Sequence, residues 1–331
     1  MAGLRPLPPE AMVYGRVGGG TWGIERTMDC CEAFGMRATF FVSTLEALHY
    51  GDDHVRRMCA TVRERGHDAQ LHVHPVWMPD SRGRKALVDY SLDEQMAVIG
   101  RAAETFRRTC DSELVAHRGG GLWLNADTLR ALEAEGIGLD SSVAVGYHDY
   151  ALGEGLAAAN VPRRLGEVAE VPVTTFAQMR LGSRELMRNF DINADTLSEL
   201  ACIVDRAVGE GVTAVSLLMH SFSFIGRNGD STEFWPSPSE CARFERFLDT
   251  LAGRDDVEVV TCAELAARLD TQPELLEGPE FAPTTGVWLT YRRSLERFHT
   301  GWKSKAFALG LPVAAVGLAA ILMVALWWLV S

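Results

Sequence analysis

Two histidines of the sequence lie two residues apart at the end of a predicted β-strand. Alternate residues of a strand face the same side, so His72 and His74 can present their imidazole rings together. Two rings in this arrangement can bind one metal ion, and the alternative is a pair of exposed histidines at a strand end. His67, at the opposite end of the same strand, is expected to have a structural role.

Two further polar segments follow apolar runs of the strand type. In the first, Arg118 follows His117 and precedes Gly119–Gly121, whose glycines allow backbone conformations closed to other residues. Arg118 could orient a carboxylate or a substrate oxygen, or it could be a surface charge. In the second, the apolar run Leu217–Met219 ends at His220, which could be a core histidine. Because active sites of α/β barrels form at the carboxyl ends of strands, three such segments favour one shared site.

Short apolar runs alternate with amphipathic helical patterns from residue 14 to residue 269. This alternation predicts an α/β fold with a mainly parallel sheet. The seven predicted strands, a number that suits a barrel, are 38–42, 68–74, 114–117, 138–141, 170–173, 214–220 and 257–260. Capping patterns at Ser237–Glu240 and at Thr261 with Glu264 predict that helices begin there.

The composition excludes some classes of function. A net charge of -12 argues against a nucleic-acid partner, because phosphate binding needs clustered Lys and Arg. Gly18–Gly20 lacks the Lys-Ser/Thr sequel of a phosphate-binding loop. The seven cysteines are odd in number and lack CxxC spacing, which predicts reduced and mostly buried thiols.

The last part of the sequence is strongly apolar. Residues 306–330 contain no charge, and a helix of this length would extend about 37 Å, enough to cross a hydrocarbon core of about 30 Å. A buried core helix is the alternative. Basic residues precede this segment, which predicts a single-pass, C-terminally anchored protein of the cell membrane with its large domain in the cytoplasm. Residues 1–13 are predicted to be irregular, and 270–305 to form a linker and juxtamembrane segment.

The polar segments, in this order, resemble the polysaccharide deacetylase family over residues 14–269. The resemblance rests on Ala38–Val42, Gly66–Pro75, Arg118 with Gly119, Leu139–Ser142 and Met219–Ser221. It implies an irregular (β/α)7-type barrel and a metal-dependent hydrolase that removes acetyl groups from a glycan or glycan precursor. The expected cofactor is a divalent metal ion of the Zn²⁺ type.

The resemblance also assigns roles to individual residues. His72 matches the first metal-binding histidine, and His74 is the expected substitute for the second, whose usual position holds Val76. Arg118 matches the arginine that positions the catalytic base, and His220 matches the general acid. Asp140 matches a later acidic motif that supports catalysis. The residues expected to contact substrate are His117, Gly119, Trp77 and Ser221.

One motif of the family is absent. Its members begin with a strand that ends in an aspartate-rich motif, which supplies the general base and a metal ligand, and residues 1–13 contain no aspartate. Either that strand is missing from this version of the chain, or the protein is a degenerate relative. The alternatives are therefore an active deacetylase, an inactive membrane-anchored glycan-binding or scaffold protein, and a different metal hydrolase. The expected membrane position suggests a lipid-linked saccharide as substrate, and the sequence leaves the oligomeric state open.

Overall fold

A computed structural model describes residues 7–148, 150, 160–181, 184–296 and 310 of the chain. The helices of this part are α1 (Pro9–Met12), α2 (Ile24–Glu32), α3 (Ala47–Tyr50), α4 (Asp52–Arg63), α5 (Leu92–Thr109), α6 (Ala126–Ala134), α7 (Leu197–Glu210), α8 (Pro238–Ala252), α9 (Cys262–Leu269) and α10 (Gly286–Glu296). The strands are β1 (Arg16–Val17), β2 (Gly20–Thr21), β3 (Thr39–Ser43), β4 (Asp68–Val73), β5 (Ala116–Gly119), β6 (Leu139–Asp140), β7 (Arg163–Leu165), β8 (Val168–Glu170), β9 (Thr175–Leu181), β10 (Arg184–Asn189), β11 (Ile225–Arg227) and β12 (Phe234–Pro236).

A six-stranded sheet in the order β3-β4-β5-β6-β8-β7 forms the centre of the fold. Neighbouring strands from β3 to β8 are parallel, and β7 pairs with β8 in the antiparallel direction. Helices α4, α5 and α6 pack on one face, where Leu71 and Val73 join the largest buried apolar cluster. Helix α9 packs on the opposite face with Ala116 and Leu139. A separate apolar cluster joins α2, α7 and α8.

Local sequence signals account for the starts of several helices. Ser91, Asn125, Thr196 and Thr261 each accept a hydrogen bond from the backbone N–H three residues later, which satisfies a donor that the helix leaves unpaired. The predicted capping box at Thr261 is therefore confirmed. Helix α8 also begins at Pro238 as predicted, but the Ser237 side chain makes no capping hydrogen bond.

The predicted closed barrel of seven strands is wrong for the described residues. Four predicted strands correspond to β3, β4, β5 and β6. The predicted strand 170–173 shares only Glu170 with β8, and 214–220 and 257–260 are not strands. In segment 214–220 the backbone partner changes along the chain. Thr174 N–H donates to Ser216 C=O, whereas Leu218 N–H donates to Phe190 C=O. A continuous ladder needs one neighbouring strand, so an apolar run alone does not establish a strand.

The predicted transmembrane helix is also corrected. Among the helices of the described residues, none is long and apolar enough to cross a membrane. The predicted span, 306–330, lies outside the described residues except for Gly310. The described residues form a mixed α/β fold, and this finding does not support the predicted single-pass membrane localisation. Within the predicted linker 270–305, α10 packs against β9, where the Thr290 hydroxyl donates to Gln178 C=O at 3.1 Å.

The prediction that the cysteines are reduced is wrong for two of them. Cys59 in α4 and Cys110 after α5 form a disulfide with a Cα–Cα distance of 5.3 Å. Cys30, Cys31, Cys202, Cys241 and Cys262 remain free thiols. The disulfide thus joins two helices that pack on the same face of the sheet.

Replacing both Cys59 and Cys110 with alanine is expected to lower the free energy of unfolding by about 2–4 kcal/mol. The crosslink spans a sequence separation of 51 residues, and losing it increases the conformational freedom of the unfolded chain. Urea denaturation of the oxidised protein and the double variant measures the difference. Cys202→Ala, which removes a half-buried free thiol, is the matched control. Equal stability of the oxidised protein and the double variant would contradict a stabilising Cys59–Cys110 disulfide.

Candidate functional site

The two faces of the sheet separate the candidate residues into two groups. His72 of β4 is the register partner of Arg118 in β5, and paired residues of parallel strands point to the same face. The Arg118 guanidinium lies over the Phe41 ring, 4.4 Å from the ring centroid, which identifies this side. We call the side lined by Phe41, His72 and Arg118 the inner face. His117 and Asp140 are paired on the opposite, outer face.

On the inner face, His72 and His74 are in direct contact. Their Nε2 atoms are 3.0 Å apart, and the rings meet edge to face. His72 Nδ1 donates to the Arg118 backbone C=O at 2.6 Å, which leaves the lone pair on Nε2. Gly120 makes room for the second ring, because a Cβ there would lie 2.4 Å from His74 Nδ1. The glycine after β5 is therefore needed for the position of His74.

The pKa values of both imidazoles lie below the ordinary range. Burial lowers the pKa of His72 well below its usual value, and the neighbouring His74 lowers it further. Burial also lowers the pKa of His74, although Glu46 opposes this shift. Both rings are therefore neutral at neutral pH, which is the form that binds metal ions.

Two nitrogen ligands fit a divalent metal ion in kind and spacing. Zn–N bonds of about 2.0–2.1 Å in tetrahedral geometry place the two nitrogens about 3.3 Å apart, close to the observed 3.0 Å. In the part of the chain that the structure describes, however, neither a third histidine nor a cysteine or carboxylate completes this pair as a three-ligand cluster. The described residues thus supply two ligands of a possible metal site.

Arg118 is held by hydroxyl and carbonyl groups on the inner face. Its Nε donates to Ser141 C=O at 2.8 Å, and Nη2 donates to the hydroxyls of Ser141 and Ser216 at 2.7 and 3.2 Å. Burial lowers the pKa of this guanidinium, and the charge of Asp140 opposes the shift. Arg118 still remains protonated at neutral pH. It therefore places a fixed positive charge beside the histidine pair.

His220 follows the apolar segment 214–219 and is exposed. Its backbone N–H donates to the Ser223 hydroxyl at 2.9 Å, and its ring stacks on Phe222 with a centroid distance of 4.8 Å. The protein around the ring lowers the pKa of His220, Asp191 opposes this shift, and Arg118 lowers the pKa further. His220 also lowers the pKa of His74 through its charge. His220 is therefore an exposed imidazole that is neutral at neutral pH.

The outer face holds a separate buried row of polar side chains. His117, Asp140 and Glu170 are successive register partners in β5, β6 and β8, and each is at most 1% exposed. His117 Nδ1 lies 2.5 Å from Asp140 Oδ1, and Ser142 donates to Asp140 from its backbone N–H and its hydroxyl. His117 and Arg118 are consecutive residues of β5, so their side chains point to opposite faces of the sheet. Asp140 and His117 therefore lie on the other side of the sheet from His72.

Sequence reasoning did not single out Glu170. Burial and the nearby Asp140 raise the pKa of Glu170 well above its ordinary value, whereas His117 holds the pKa of Asp140 below its ordinary value. This shift favours the neutral carboxylic acid form of Glu170, whose Oε1 accepts the Val143 backbone N–H at 2.9 Å. A glutamate within the apolar segment Val168–Val173 is the sequence signal that could have identified it.

The remaining predicted substrate contacts have other partners. Gly119 is buried, and a Cβ there would lie 2.3 Å from the Trp123 carbonyl oxygen, so this glycine serves close packing. Trp77 packs near His49 and Tyr50. The Ser221 hydroxyl donates to Met12 C=O at 2.8 Å, which ties the segment before β11 to α1.

Acidification is expected to destabilise the metal-free protein by about 1–2 kcal/mol between about pH 7.5 and pH 5.5. The pKa values of His72 and His74 are lower in the folded state than in the unfolded chain. The unfolded chain therefore takes up protons first as the pH falls below about 6.5, and unfolding becomes more favourable. Urea denaturation with chelator at the two pH values measures the effect. The difference should shrink in His72→Gln combined with His74→Gln, and an unchanged difference would exclude these rings as its source.

Comparisons with known proteins give similarity at the level of structure. Neither a protein-family model nor a curated protein matches the sequence. A protein of Mycobacterium smegmatis assigned to the polysaccharide deacetylases is 17% identical, with a TM-score of 0.49 over 78% of each chain. A 4-alpha-glucanotransferase from Thermococcus litoralis is 12% identical, with a TM-score of 0.48 over 75% of this chain and 36% of its own. A family 4 carbohydrate esterase from Streptomyces lividans is 13% identical, with a TM-score of 0.39 over 69% of this chain and 81% of its own.

Proposed function

We propose that the protein is a hydrolase that removes acetyl groups from a glycan, with its site on the inner face of the sheet. The observation that supports this most directly is the contact between the Nε2 atoms of His72 and His74, 3.0 Å apart beside Arg118. Both rings are half-buried, so part of each ring is in contact with solvent. An acetylated sugar is the substrate class that the sequence motifs imply.

In this proposal His72 and His74 supply two ligands for a divalent cation. A bound cation would supply polarisation of the acetyl carbonyl and would lower the pKa of water. The Nδ1–H bond from His72 to the Arg118 carbonyl fixes the tautomer that presents Nε2. Among the described residues, no carboxylate lies close enough to His72 and His74 to act as the third ligand.

His220 acts as the acid-base group in this proposal. Its lowered pKa makes the ring neutral at neutral pH, so it can accept a proton from the attacking water. The same ring can then protonate the leaving amine or alcohol, which is the general-acid role expected from the sequence. Arg118 would stabilise negative charge on the reacting acetyl oxygen, because its guanidinium is positively charged and held rigidly by Ser141.

The decisive experiment measures acetate release from N-acetylated and O-acetylated oligosaccharides by the full chain. Chelation is expected to stop release, and added Zn²⁺ should restore it in the natural protein but not in His72→Ala. Acetate release that persists after chelation would contradict metal dependence. If neither substrate is hydrolysed with Zn²⁺ present, the hydrolase proposal fails.

The incomplete ligand set favours one second candidate, an inactive glycan-binding protein. The same experiment separates the two functions, because such a protein binds the oligosaccharide without releasing acetate. Isothermal titration calorimetry of the metal-free and Zn²⁺-treated protein measures this binding. Saturable binding with no hydrolysis supports the second candidate.

A further inference from the structure

A cluster of two cysteines and one glutamate lies apart from the inner face. Cys30 belongs to α2, whereas Cys241 and Glu245 belong to α8, four residues apart on the same side of that helix. The two Sγ atoms are 3.7 Å apart. Glu245 Oε1 lies 3.7 Å from Cys30 Sγ and 3.9 Å from Cys241 Sγ. Three ligand atoms from two helices thus form a nearly equilateral triangle.

The size of this triangle matches a tetrahedral zinc site. Zn–S bonds of about 2.3 Å place two sulfurs about 3.8 Å apart, and a Zn–O bond of about 2.1 Å places the oxygen about 3.6 Å from each sulfur. The three observed separations of 3.7, 3.7 and 3.9 Å agree with these values within about 0.3 Å. An ion could therefore bind with little movement of either helix.

Burial divides the cluster into a closed side and an open side. Cys30 and Cys241 are each 2% exposed and belong to the apolar cluster that joins α2, α7 and α8. The Glu245 side chain is 40% exposed, so solvent reaches the ligand triangle from this direction. The open side provides a path for an ion and leaves room for water as a fourth ligand.

Arg26 of α2 donates hydrogen bonds to two members of the cluster. Its Nε donates to Cys241 Sγ at 3.1 Å, and its Nη2 donates to Glu245 Oε1 at 2.6 Å. A guanidinium that donates to a cysteine sulfur favours the thiolate, which is the form that binds metal ions.

The charges balance when one divalent ion is bound. Two thiolates and one carboxylate carry three negative charges, and the ion together with Arg26 carries three positive charges. Binding replaces the remaining thiol protons, which pass to solvent. Glu245 has a second carboxylate oxygen that can keep the contact with Arg26 while Oε1 binds the ion. Thiolate ligands with a carboxylate suit Zn²⁺ better than Mg²⁺ or Ca²⁺.

We propose that Cys30, Cys241 and Glu245 form a zinc site that joins α2 to α8. The ion links positions 211 residues apart in the sequence and stabilises the packing of α2 against α8. This role is structural and independent of the acetyl hydrolysis proposed for the inner face. The adjacent Cys31 is not part of the cluster, and burial raises the pKa of its thiol to about 12.

Titration of the reduced, metal-free full chain with Co²⁺ tests the site. Cobalt replaces zinc in such sites and gives a near-ultraviolet charge-transfer band when it binds thiolates, a band that a histidine pair does not produce. We expect one equivalent of Co²⁺ to produce the band and one equivalent of Zn²⁺ to remove it. If the natural protein binds Co²⁺ to saturation without the charge-transfer band, or gives no band at all, the proposal is overturned.

Variants locate the bound ion. Cys241→Ser and Cys30→Ser should abolish the band, and Glu245→Gln, at a half-exposed position, should weaken Co²⁺ binding at least tenfold while the protein folds. Cys31→Ser, Cys202→Ser and His72→Ala should retain the band as controls. A band that survives in Cys30→Ser combined with Cys241→Ser would overturn the assignment. If those cysteine variants fail to fold, the titration of the natural protein and Glu245→Gln still decides the question.

Discussion

Replacing His220 with alanine is expected to slow acetate release by the folded protein about 100- to 10,000-fold. In the proposed function the imidazole is the acid-base group, and its lowered pKa leaves it neutral and able to accept a proton at neutral pH. Because the side chain is exposed and its backbone N–H makes the hydrogen bond to Ser223, the substitution removes chemistry while it leaves the local fold intact. Steady-state kinetics measure the rate of acetate release, and a far-UV circular dichroism spectrum shows whether the variant is folded.

His67→Ala is the matched histidine control for this prediction. His67 lies at the opposite end of β4, where its Nδ1 accepts the Ala38 backbone N–H at 3.1 Å and its Nε2 lies 3.2 Å from Glu32. Its loss should lower stability but leave the rate per folded molecule nearly unchanged. A similar loss of rate in both variants, or an unchanged rate in His220→Ala, would remove His220 from the mechanism.

Replacing Asp140 with alanine is expected to lower the free energy of unfolding by about 3–5 kcal/mol. Asp140 is fully buried, and its carboxylate accepts hydrogen bonds from His117 and from Ser142. The substitution leaves these donors without their acceptor inside the protein, where an unpaired polar group is costly. Urea denaturation measures the loss. The rate per folded molecule should fall far less than in His220→Ala, because Asp140 lies on the outer face.

Glu170→Gln is the control that distinguishes a neutral from a charged glutamate. The raised pKa of Glu170 favours its protonated form, and glutamine is also neutral and keeps the acceptor for Val143 N–H. The stability should therefore change by no more than about 1 kcal/mol. A loss as large as that of Asp140→Ala would show that Glu170 is ionised and that the row holds two negative charges.

Local sequence patterns were sufficient for the parts of the fold that depend on neighbours in the chain. The alternation of side chains predicted that His72 and His74 lie together, and their rings are in contact. Capping residues located the start of α9, and the apolar runs of β3, β4 and β5 were found within two residues of each boundary. These features depend on interactions within a few residues of the chain, which any single sequence displays.

The alternation of side chains in β5 places His117 and Arg118 on opposite faces of the sheet, whereas the family resemblance predicted that both belong to one site. His117 and Arg118 are adjacent and both polar, yet one faces Asp140 and the other faces Ser141 and Ser216. Which face is buried under helices depends on the packing of α4, α5 and α6, and a short polar segment does not reveal it. The mostly apolar segment 214–220 was likewise predicted to be a strand. A run of apolar residues reflects burial in the core, which a segment can reach without pairing as a strand.

By itself, the sequence determined the alternating α/β organisation, several helix starts and the paired histidines of β4, because each depends on short-range geometry. Tertiary structure alone decided the open sheet, the Cys59–Cys110 disulfide, the buried row through Glu170 and the meeting of Cys30 with Cys241. The cysteines of this last pair are 211 residues apart, and their contact follows from the packing of α2 against α8. Such contacts depend on how whole helices and strands pack, which no local spacing of residue types specifies.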